Sequence, residues 1–354
     1  MNIVVIMPYT EGKYEDDTMM HCRALETYGG HTILRGIKTK RGLEFSKKSE
    51  SIIKGDKVDL IWAPYEDLID WALMLKSNIN KPIVGHYEIL LPGRFRQDEM
   101  DMYWDFYEDA PDKNKIEFDY YYKYKKYVEL YNKCDIKTIT GQHHKFRCEK
   151  ALGLPVGKTY IKPYPFDNTL YDKYAKKDIK EKRQICTIYR LVAWKKTRHI
   201  IKALSLMKNP PKYVVAGTGN QKEDLEKYAK ELGVNAEFRG HISDEEKVNL
   251  LQESMFSLSH YGWIPPTEAA YLKKPCICYY EPDTYERLSD LPYYTQANNI
   301  KSLAKSIEKL INDDSLRKKI GESAYDKLIN NKTHTHLLKE DSKQLTKIFE
   351  EALK

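Results

Sequence analysis

The sequence lacks the long apolar runs and the leader features that mark membrane and secreted proteins. Its apolar stretches, such as Val58–Pro64, are far shorter than the roughly 20 residues that a membrane-spanning helix needs. The segment Met1–Pro8 has no basic stretch and no small-residue cleavage site, so it does not read as a signal peptide. We therefore expect a cytoplasmic protein without a membrane span.

Cysteine is also scarce, and its spacing excludes the common metal and redox motifs. The six cysteines form no C-x-x-C pair and no zinc pattern with histidine. Reduced, partly buried thiols are the simplest interpretation. Cys276 and Cys278 fall in one predicted strand, and we expect them to point to opposite faces of it.

Neither composition nor charge points to disorder or to one kind of partner. Hydrophobic residues make up 41% and charged residues 31%, which is typical of a globular enzyme. A length of 354 residues suggests two domains rather than one. The net charge of +7 is compatible with phosphate-bearing ligands, an anionic membrane surface or nucleic acid, and it selects none of them.

Apolar strands alternate with helical periodicities along almost the whole chain, which is typical of α/β folds with parallel sheets. We predict a first Rossmann-like domain at 1–165, a linker at 166–183 and a second Rossmann-like domain at 184–335. The last segment, 336–354, is predicted as a helix that can pack back on the first domain. This pattern predicts two doubly wound domains that face a central cleft.

Two cations follow the first strand of the second half. Ligands of open parallel sheets bind beyond the carboxyl ends of strands, where backbone N–H groups and helix N-termini are exposed. Arg190 and Lys195 lie at such a place. They can clamp a diphosphate, the guanidinium as a planar fork and the ammonium as a point charge. Two solvated loop cations are the plainer interpretation of these residues alone.

Later strands of the same half are followed by a glycine turn and by a carboxylate. Gly217 and Gly219 form a G-x-G turn, which marks a tight turn more often than a phosphate cradle. Glu268 follows two prolines in what we predict to be the first turn of a helix, where the helix dipole alone can stabilise a carboxylate. In the functional interpretation, Glu268 accepts hydrogen bonds from the paired hydroxyls of a ribose.

Taken in order, these features resemble the family-4 retaining glycosyltransferases, which have the two-Rossmann GT-B architecture. That family carries G-R-x-x-x-x-K-G after the first strand of its C-terminal domain, then a glycine turn, an F-x-G strand end, E-x7-E and E-A-x-x-x-G-x-P. The matching residues of this chain are Arg190, Lys195, Gly217, Gly219, Phe238, Gly240, Glu268, Ala269 and Pro275. The resemblance implies that Arg190 and Lys195 bind the diphosphate of a nucleotide sugar and that Glu268 binds its ribose.

The sequence departs from this pattern at the motif that meets the sugar. His260 stands where the family has the first Glu of E-x7-E, a residue thought to contact the transferred sugar. A histidine can still hydrogen-bond a sugar hydroxyl. Tyr189, Lys196 and Lys273 replace three of the glycines in the family pattern.

In the N-terminal half the resemblance depends on two positions. His86 ends a predicted strand, and by the resemblance it lies near the reacting sugar. A loop-end histidine that bonds to the backbone is the alternative interpretation. Gly12 lies in the first strand-to-helix loop, where the family lets the backbone approach sugar or phosphate. We expect this half to bind the acceptor.

The resemblance implies a metal-independent hexosyltransferase that retains the anomeric configuration. Arg190 and Lys195 would stabilise the departing diphosphate, while His260 and His86 would position the sugar. No D-x-D motif follows a predicted strand end, so we expect these cations and helix N-termini, rather than a metal, to neutralise the phosphates. We expect a UDP- or GDP-linked donor and no further cofactor.

Three interpretations of the acceptor stay open. The first is a glycan, lipid or protein acceptor. The second is hydroxymethylated DNA, as for phage-type glucosyltransferases, with Arg94 and Arg96 among the residues that could stack on an extruded base. The third is a non-catalytic nucleotide-sugar-binding subunit, in which the change to His260 has removed turnover. Two basic clusters could meet anionic lipid or a nucleic-acid backbone: Lys38, Lys40, Arg41, Lys47 and Lys48, and Lys123, Lys125 and Lys126.

Overall fold

The chain folds into two compact units. The computed structural model describes residues 1–7, 17–87, 126–139, 141, 145, 158–260, 264–280, 285, 288–330 and 335–354. Unit 1 comprises the described residues up to Pro165 together with His336–Lys354, and unit 2 comprises those from Phe166 to Thr335. Within these ranges, no helix is long and apolar enough to span a bilayer.

Unit 1 is built on a seven-stranded sheet. Its strands are β1 (Asn2–Met7), β2 (Thr32–Thr39), β3 (Gly42–Glu44), β4 (Leu60–Ala63), β5 (Ile83–Tyr87), β6 (Ile136–Ile139) and β7 (Tyr160–Ile161), and its first helices are α1 (Asp17–Gly29), α2 (Lys47–Lys54) and α3 (Ile69–Ile79). The strand order is β3-β2-β1-β4-β5-β6-β7, with β3 antiparallel to β2 and the other strands parallel. A short strand, β8 (Tyr164–Phe166), pairs with β15 (Thr335–Leu337) in a separate sheet.

Unit 2 repeats the design with a six-stranded parallel sheet. Its strands are β9 (Gln184–Ile188), β10 (Lys212–Ala216), β11 (Ala236–Gly240), β12 (Phe256–Leu258), β13 (Cys276–Tyr279) and β14 (Tyr293–Thr295). Its helices are α4 (Thr169–Tyr174), α5 (Thr197–Ser205), α6 (Lys222–Glu231), α7 (Asp244–Glu253), α8 (Ile264–Tyr271), α9 (Ile300–Asn312) and α10 (Asp314–Ile329). In the strand order β11-β10-β9-β12-β13-β14, the chain first builds outward from β9 to one edge and then, from β12, to the other edge. This is the doubly wound Rossmann topology.

The apolar pattern of β1 explains why the unit 1 sheet is covered on both faces. Successive side chains of a strand point to opposite faces. Val4 and Ile6 therefore pack in one apolar cluster, with Ile61 of β4. Ile3 and Val5 pack in another, with Trp62 of the same neighbouring strand. A near-continuous apolar run is the expected sequence of a strand that is buried on both sides.

The last helix, α11 (Leu338–Ala352), belongs to unit 1. It packs on α1, and its residue Phe349 lies against Trp62 with 5.5 Å between ring centres. A buried pair also joins the two helices: His21 Nδ1 lies 2.8 Å from Asp341 Oδ2, and both side chains have 0% exposure. The C-terminal segment is therefore part of the unit 1 core.

The predicted doubly wound α/β class is confirmed, and two local expectations need correction. Residues 166–183 were expected to form a linker, but the structure places them in unit 2, where Thr169–Tyr174 forms α4. The expectation that Cys276 and Cys278 point to opposite faces is wrong. Residues two apart in a strand share a face, and the two Sγ atoms lie 3.9 Å apart in the unit 2 core.

Candidate functional site

The loop after β9 brings two cations together. Arg190 follows the strand and is exposed, while Lys195 ends a short 3-10 helix (Ala193–Lys195) and is only 8% exposed. The ammonium of Lys195 lies 5.6 Å from the ring centre of Tyr189. Burial, reinforced by the charge of Arg190, lowers the pKa of Lys195 from 10.5 to about 7. A buried ammonium beside a guanidinium favours an anionic ligand, because such a ligand restores the charged state.

The glycine turn after β10 packs against the backbone of this loop. A Cβ on Gly217 would lie 1.9 Å from the carbonyl oxygen of Tyr189, and one on Gly219 would lie 2.0 Å from that of Leu191. The backbone N–H of Leu191 donates to the carbonyl of Thr218 at 2.8 Å. In the structure these glycines therefore let two backbone segments touch, and the segment that they touch carries Arg190.

Two lysines occupy positions where the family pattern has glycine. Lys196, which precedes α5, has φ +56°, and Lys273, which follows α8, has φ +55°. This left-handed conformation costs an L-residue about 1–2 kcal/mol, and glycine adopts it freely. Both lysines therefore adopt a backbone conformation that glycine would adopt without this cost.

Glu268 is a buried carboxylate held by two donors. It lies on α8 with 5% exposure. Its Oε1 accepts a hydrogen bond from the hydroxyl of Tyr171 on α4 at 2.5 Å and one from the ammonium of Lys247 on α7 at 3.0 Å. Burial and the nearby Glu268 carboxylate raise the pKa of Tyr171 well above its usual value, so this phenol stays a donor. The predicted position in the first helical turn is wrong, because α8 already begins at Ile264.

The start of α7 fixes the backbone position of Lys247. Ser243 caps this helix, and its hydroxyl and the Glu246 carboxylate form a reciprocal capping box. Lys247 follows directly, and its ammonium also lies 3.8 Å from Asp244. A local sequence signal thus fixes the helix that orients Glu268.

His260 lies two residues beyond the end of β12 and is completely buried. Its ring stacks on that of Tyr279, with 3.8 Å between ring centres and 11° between planes. Among the described residues, neither ring nitrogen has a hydrogen-bond partner. Burial, with smaller contributions from His199 and Lys196, holds the pKa of His260 well below 6.5. The imidazole is therefore neutral at physiological pH.

The predicted site residues of the first half are only partly described. His86 lies on β5 of unit 1 with 0% exposure, and its Nδ1 lies 3.0 Å from the hydroxyl of Thr138 on β6. Gly12, Arg94, Arg96, Lys123 and Lys125 lie outside the described residues. The structure thus places Arg190, Lys195, His260 and Glu268 in unit 2, while His86 belongs to unit 1.

Four contact residues of this site were missed by the sequence reasoning: Tyr171, Lys247, His199 and Tyr279. Three of them lie within helices and Tyr279 is an aromatic residue that ends a strand, so none is a charged or glycine residue directly after a strand. Tyr279 ends β13, and His199 lies in the first turn of α5. Both residues therefore lie near the carboxyl ends of predicted strands, where ligands of parallel sheets bind, and that position in the sequence could have identified them.

The comparisons with known proteins bear on both units. A family model described as Glycosyl transferases group 1 matches residues 172–327, a segment of unit 2 that covers less than half of the chain. None of the curated proteins matches the chain in sequence.

Solved structures match the chain over almost its whole length. HepE from Anabaena, crystallised with UDP, has a TM-score of 0.70 at 14% identity and covers 99% of this chain and 100% of its own. A glycosyltransferase from Rickettsia africae has a TM-score of 0.70 at 16% identity, covering 100% of this chain and 98% of its own. Sucrose-phosphate synthase from Thermosynechococcus elongatus has a TM-score of 0.70 at 12% identity, covering 99% of this chain and 98% of its own.

At these identities the solved structures establish the fold alone. The fold is that of the GT-B glycosyltransferases, with parallel α/β sheets in both units. The matched segment of unit 2 supports a glycosyltransferase of this class.

Proposed function

We propose that the protein transfers a sugar from a nucleoside diphosphate sugar to an acceptor hydroxyl, with retention of the anomeric configuration. The observation that carries this proposal is the pairing of exposed Arg190 with buried Lys195 at the carboxyl end of β9. Unit 2 also contains the segment that matches the glycosyltransferase family model. The similar fold of HepE, whose crystal structure contains UDP, makes UDP the first nucleotide to test.

The proposed chemistry is electrostatic stabilisation of a leaving group. Negative charge grows on the diphosphate as the bond to the sugar breaks, and preorganised cations act most strongly where charge develops. Arg190 offers a planar fork to the phosphate oxygens and Lys195 offers a point charge. We assign no metal to this step, since these two cations supply the positive charge.

Glu268 is the proposed ribose ligand. The bonds from Tyr171 and Lys247 both reach Oε1, and they fix the plane of the carboxylate. In the proposal, Oε2 accepts hydrogen bonds from the ribose hydroxyls, which act as donors. His260 contacts the donor sugar, and His86 of unit 1 is proposed near the reacting sugar on the strength of the family resemblance.

Replacing Lys195 by alanine is expected to weaken UDP binding by about 10- to 100-fold. A charge-assisted hydrogen bond contributes about 1.5–3 kcal/mol, and each 1.4 kcal/mol is tenfold in affinity. Isothermal titration calorimetry measures the change. Lys208→Ala is the control, because Lys208 is an exposed lysine of the same unit that lies after α5. Equal affinities in the wild type and in Lys195→Ala would remove Lys195 from the diphosphate site.

The lowered pKa of Lys195 predicts a pH dependence of binding. The anion binds the protonated ammonium, and this form is lost as the pH rises through about 7. The UDP dissociation constant should therefore rise roughly tenfold between pH 7 and 8.5. Phosphate ionises near pH 6, so the ligand charge is constant over this range. Calorimetry on the wild type should show the rise and Lys195→Ala should not; a flat wild-type profile would contradict the assignment.

Turnover and acceptor are tested together. The protein is incubated with nucleotide sugars, with candidate glycan acceptors or with duplex DNA that carries hydroxymethyl bases, and nucleoside diphosphate release is followed. Release that requires the DNA would replace the glycan acceptor with a modified base. Donor binding without release under all of these conditions would favour a non-catalytic subunit. NMR of a released product would show whether the anomeric configuration is retained.

A further inference from the structure

A buried histidine without a hydrogen-bond partner calls for a ligand. A buried polar group left unsatisfied costs about 1–3 kcal/mol, and such groups in native proteins are few. His260 has two such nitrogens, as far as the described residues extend, and 0% exposure. The order of elements places it at the same carboxyl sheet edge as Arg190, because β9 and β12 are parallel neighbours.

The plane of this ring is set by Tyr279. The two rings are nearly parallel, with 3.8 Å between centres and 11° between planes. Stacking at this distance restricts rotation of the imidazole about its Cβ–Cγ bond, since any large turn drives the ring into the tyrosine. Stacking on Tyr279 thus fixes the directions of the two His260 nitrogens without forming a hydrogen bond to either of them.

Tyr279 is in turn fixed by His199. Its hydroxyl lies 2.9 Å from His199 Nδ1, and the two rings meet edge to face at 5.9 Å. His199 belongs to α5, Tyr279 belongs to β13 and His260 lies in the loop after β12, so the arrangement joins two elements and a loop of unit 2. We call His199, Tyr279 and His260 the ring stack.

The ring stack is uncharged although it lies beside cations. Burial lowers the pKa of His199 to about 4, with a smaller contribution from Lys196, and it lowers that of His260 as well. Burial also raises the pKa of Tyr279 above its usual value. A neutral imidazole donates one hydrogen bond and accepts one, which suits sugar hydroxyls; a phosphate group, which only accepts, is better served by Arg190 and Lys195.

We propose that Tyr279, held by His199, is a positioning residue for the donor sugar: it orients the ring of His260 so that the imidazole nitrogens meet sugar hydroxyls. This inference rests on the proposed function and deepens it, because it assigns the sugar and the diphosphate to different residues. Tyr279 acts through His260, and His199 acts through Tyr279.

The test separates the sugar contribution from the nucleotide contribution. Dissociation constants are measured by calorimetry for UDP and for the tightest-binding member of a panel of UDP-glucose, UDP-galactose and UDP-N-acetylglucosamine. Tyr279→Leu removes the stacking on His260 and keeps an apolar side chain. Tyr279→Phe keeps the stacking on His260 and loses the hydrogen bond to His199. Tyr213→Phe is the matched control, because it removes another fully buried tyrosine hydroxyl of the same sheet, one that bonds to Thr187.

We expect Tyr279→Leu to weaken UDP-sugar binding at least tenfold and to change UDP binding less than twofold. Tyr279→Phe and His199→Ala should weaken UDP-sugar binding about threefold, and Tyr213→Phe should leave both affinities unchanged. Equal losses for UDP and UDP-sugar in Tyr279→Leu, or no loss for either, would overturn the positioning role and leave the proposed function standing. If the wild type binds neither UDP nor any UDP-sugar of the panel, the proposed function fails and the inference fails with it.

Discussion

Replacing His21 by alanine is expected to lower the free energy of unfolding of unit 1 by about 3–5 kcal/mol. His21 and Asp341 form a completely buried pair at 2.8 Å. Among the described residues, Asp341 Oδ1 has no hydrogen-bond partner, so the imidazole is the donor on which this carboxylate depends. Its removal leaves a buried carboxylate without compensation. Urea unfolding, followed by hydrogen exchange of peptides from α11, measures the loss.

Two further variants show whether the buried pair is the cause. His31→Ala is the matched control, because His31 also bonds to α11, through Thr346 at 2.7 Å, from a half-buried position. It should cost about 2 kcal/mol, the value of two ordinary hydrogen bonds, because His31 Nδ1 also lies 3.1 Å from the N-terminal amino group. The double variant His21→Leu, Asp341→Leu should recover most of the stability, since apolar replacements of a buried pair are often neutral. A loss in His21→Ala no larger than that in His31→Ala would contradict this account.

The same pair shows what the sequence could predict about unit 1. The helix near the C-terminus follows from its apolar periodicity. The partner of Asp341 does not, because His21 lies 320 residues away and no local pattern links the two. Short strands such as β3 cannot be predicted either, since three residues carry too little alternation to be distinguished from a loop.

In unit 2, too, local sequence patterns predict the positions of residues but not the contacts between residues far apart in the sequence. The alternation of strands and helices, and the position of Arg190 and Lys195 after a strand, follow from the apolar periodicity of the chain. The contacts of Glu268 do not, because Tyr171 lies 97 residues away in the segment that was expected to form a linker. The stacking of His260 on Tyr279 likewise arises from the pairing of β12 with β13. The sequence thus indicates candidate residues and does not indicate the contacts that orient them.

Replacing Gly217 by alanine is expected to disturb both stability and nucleotide binding. The new Cβ would lie 1.9 Å from the carbonyl oxygen of Tyr189, and φ at this position is +133°. Overpacking costs about 1–3 kcal/mol and an unfavourable backbone conformation about 1–2 kcal/mol, so we expect a loss of about 3 kcal/mol. The obstacle is backbone, so the loop that carries Arg190 must move away from β10. UDP binding should weaken at least tenfold.

Gly233→Ala is the matched control, because Gly233 also has a positive φ, +65°, but nothing lies within 4 Å of its Cβ position. It carries the conformational strain without the collision, so it should cost about 1–2 kcal/mol and leave UDP binding unchanged. Urea unfolding gives the stability of each variant, and calorimetry well below the melting temperature gives the affinity of the folded protein. If Gly217→Ala loses stability but keeps its UDP affinity, the loop does not depend on the glycine turn for its position. If both properties fall together in Gly217→Ala alone, the close approach of the two backbone segments is what holds Arg190 in place.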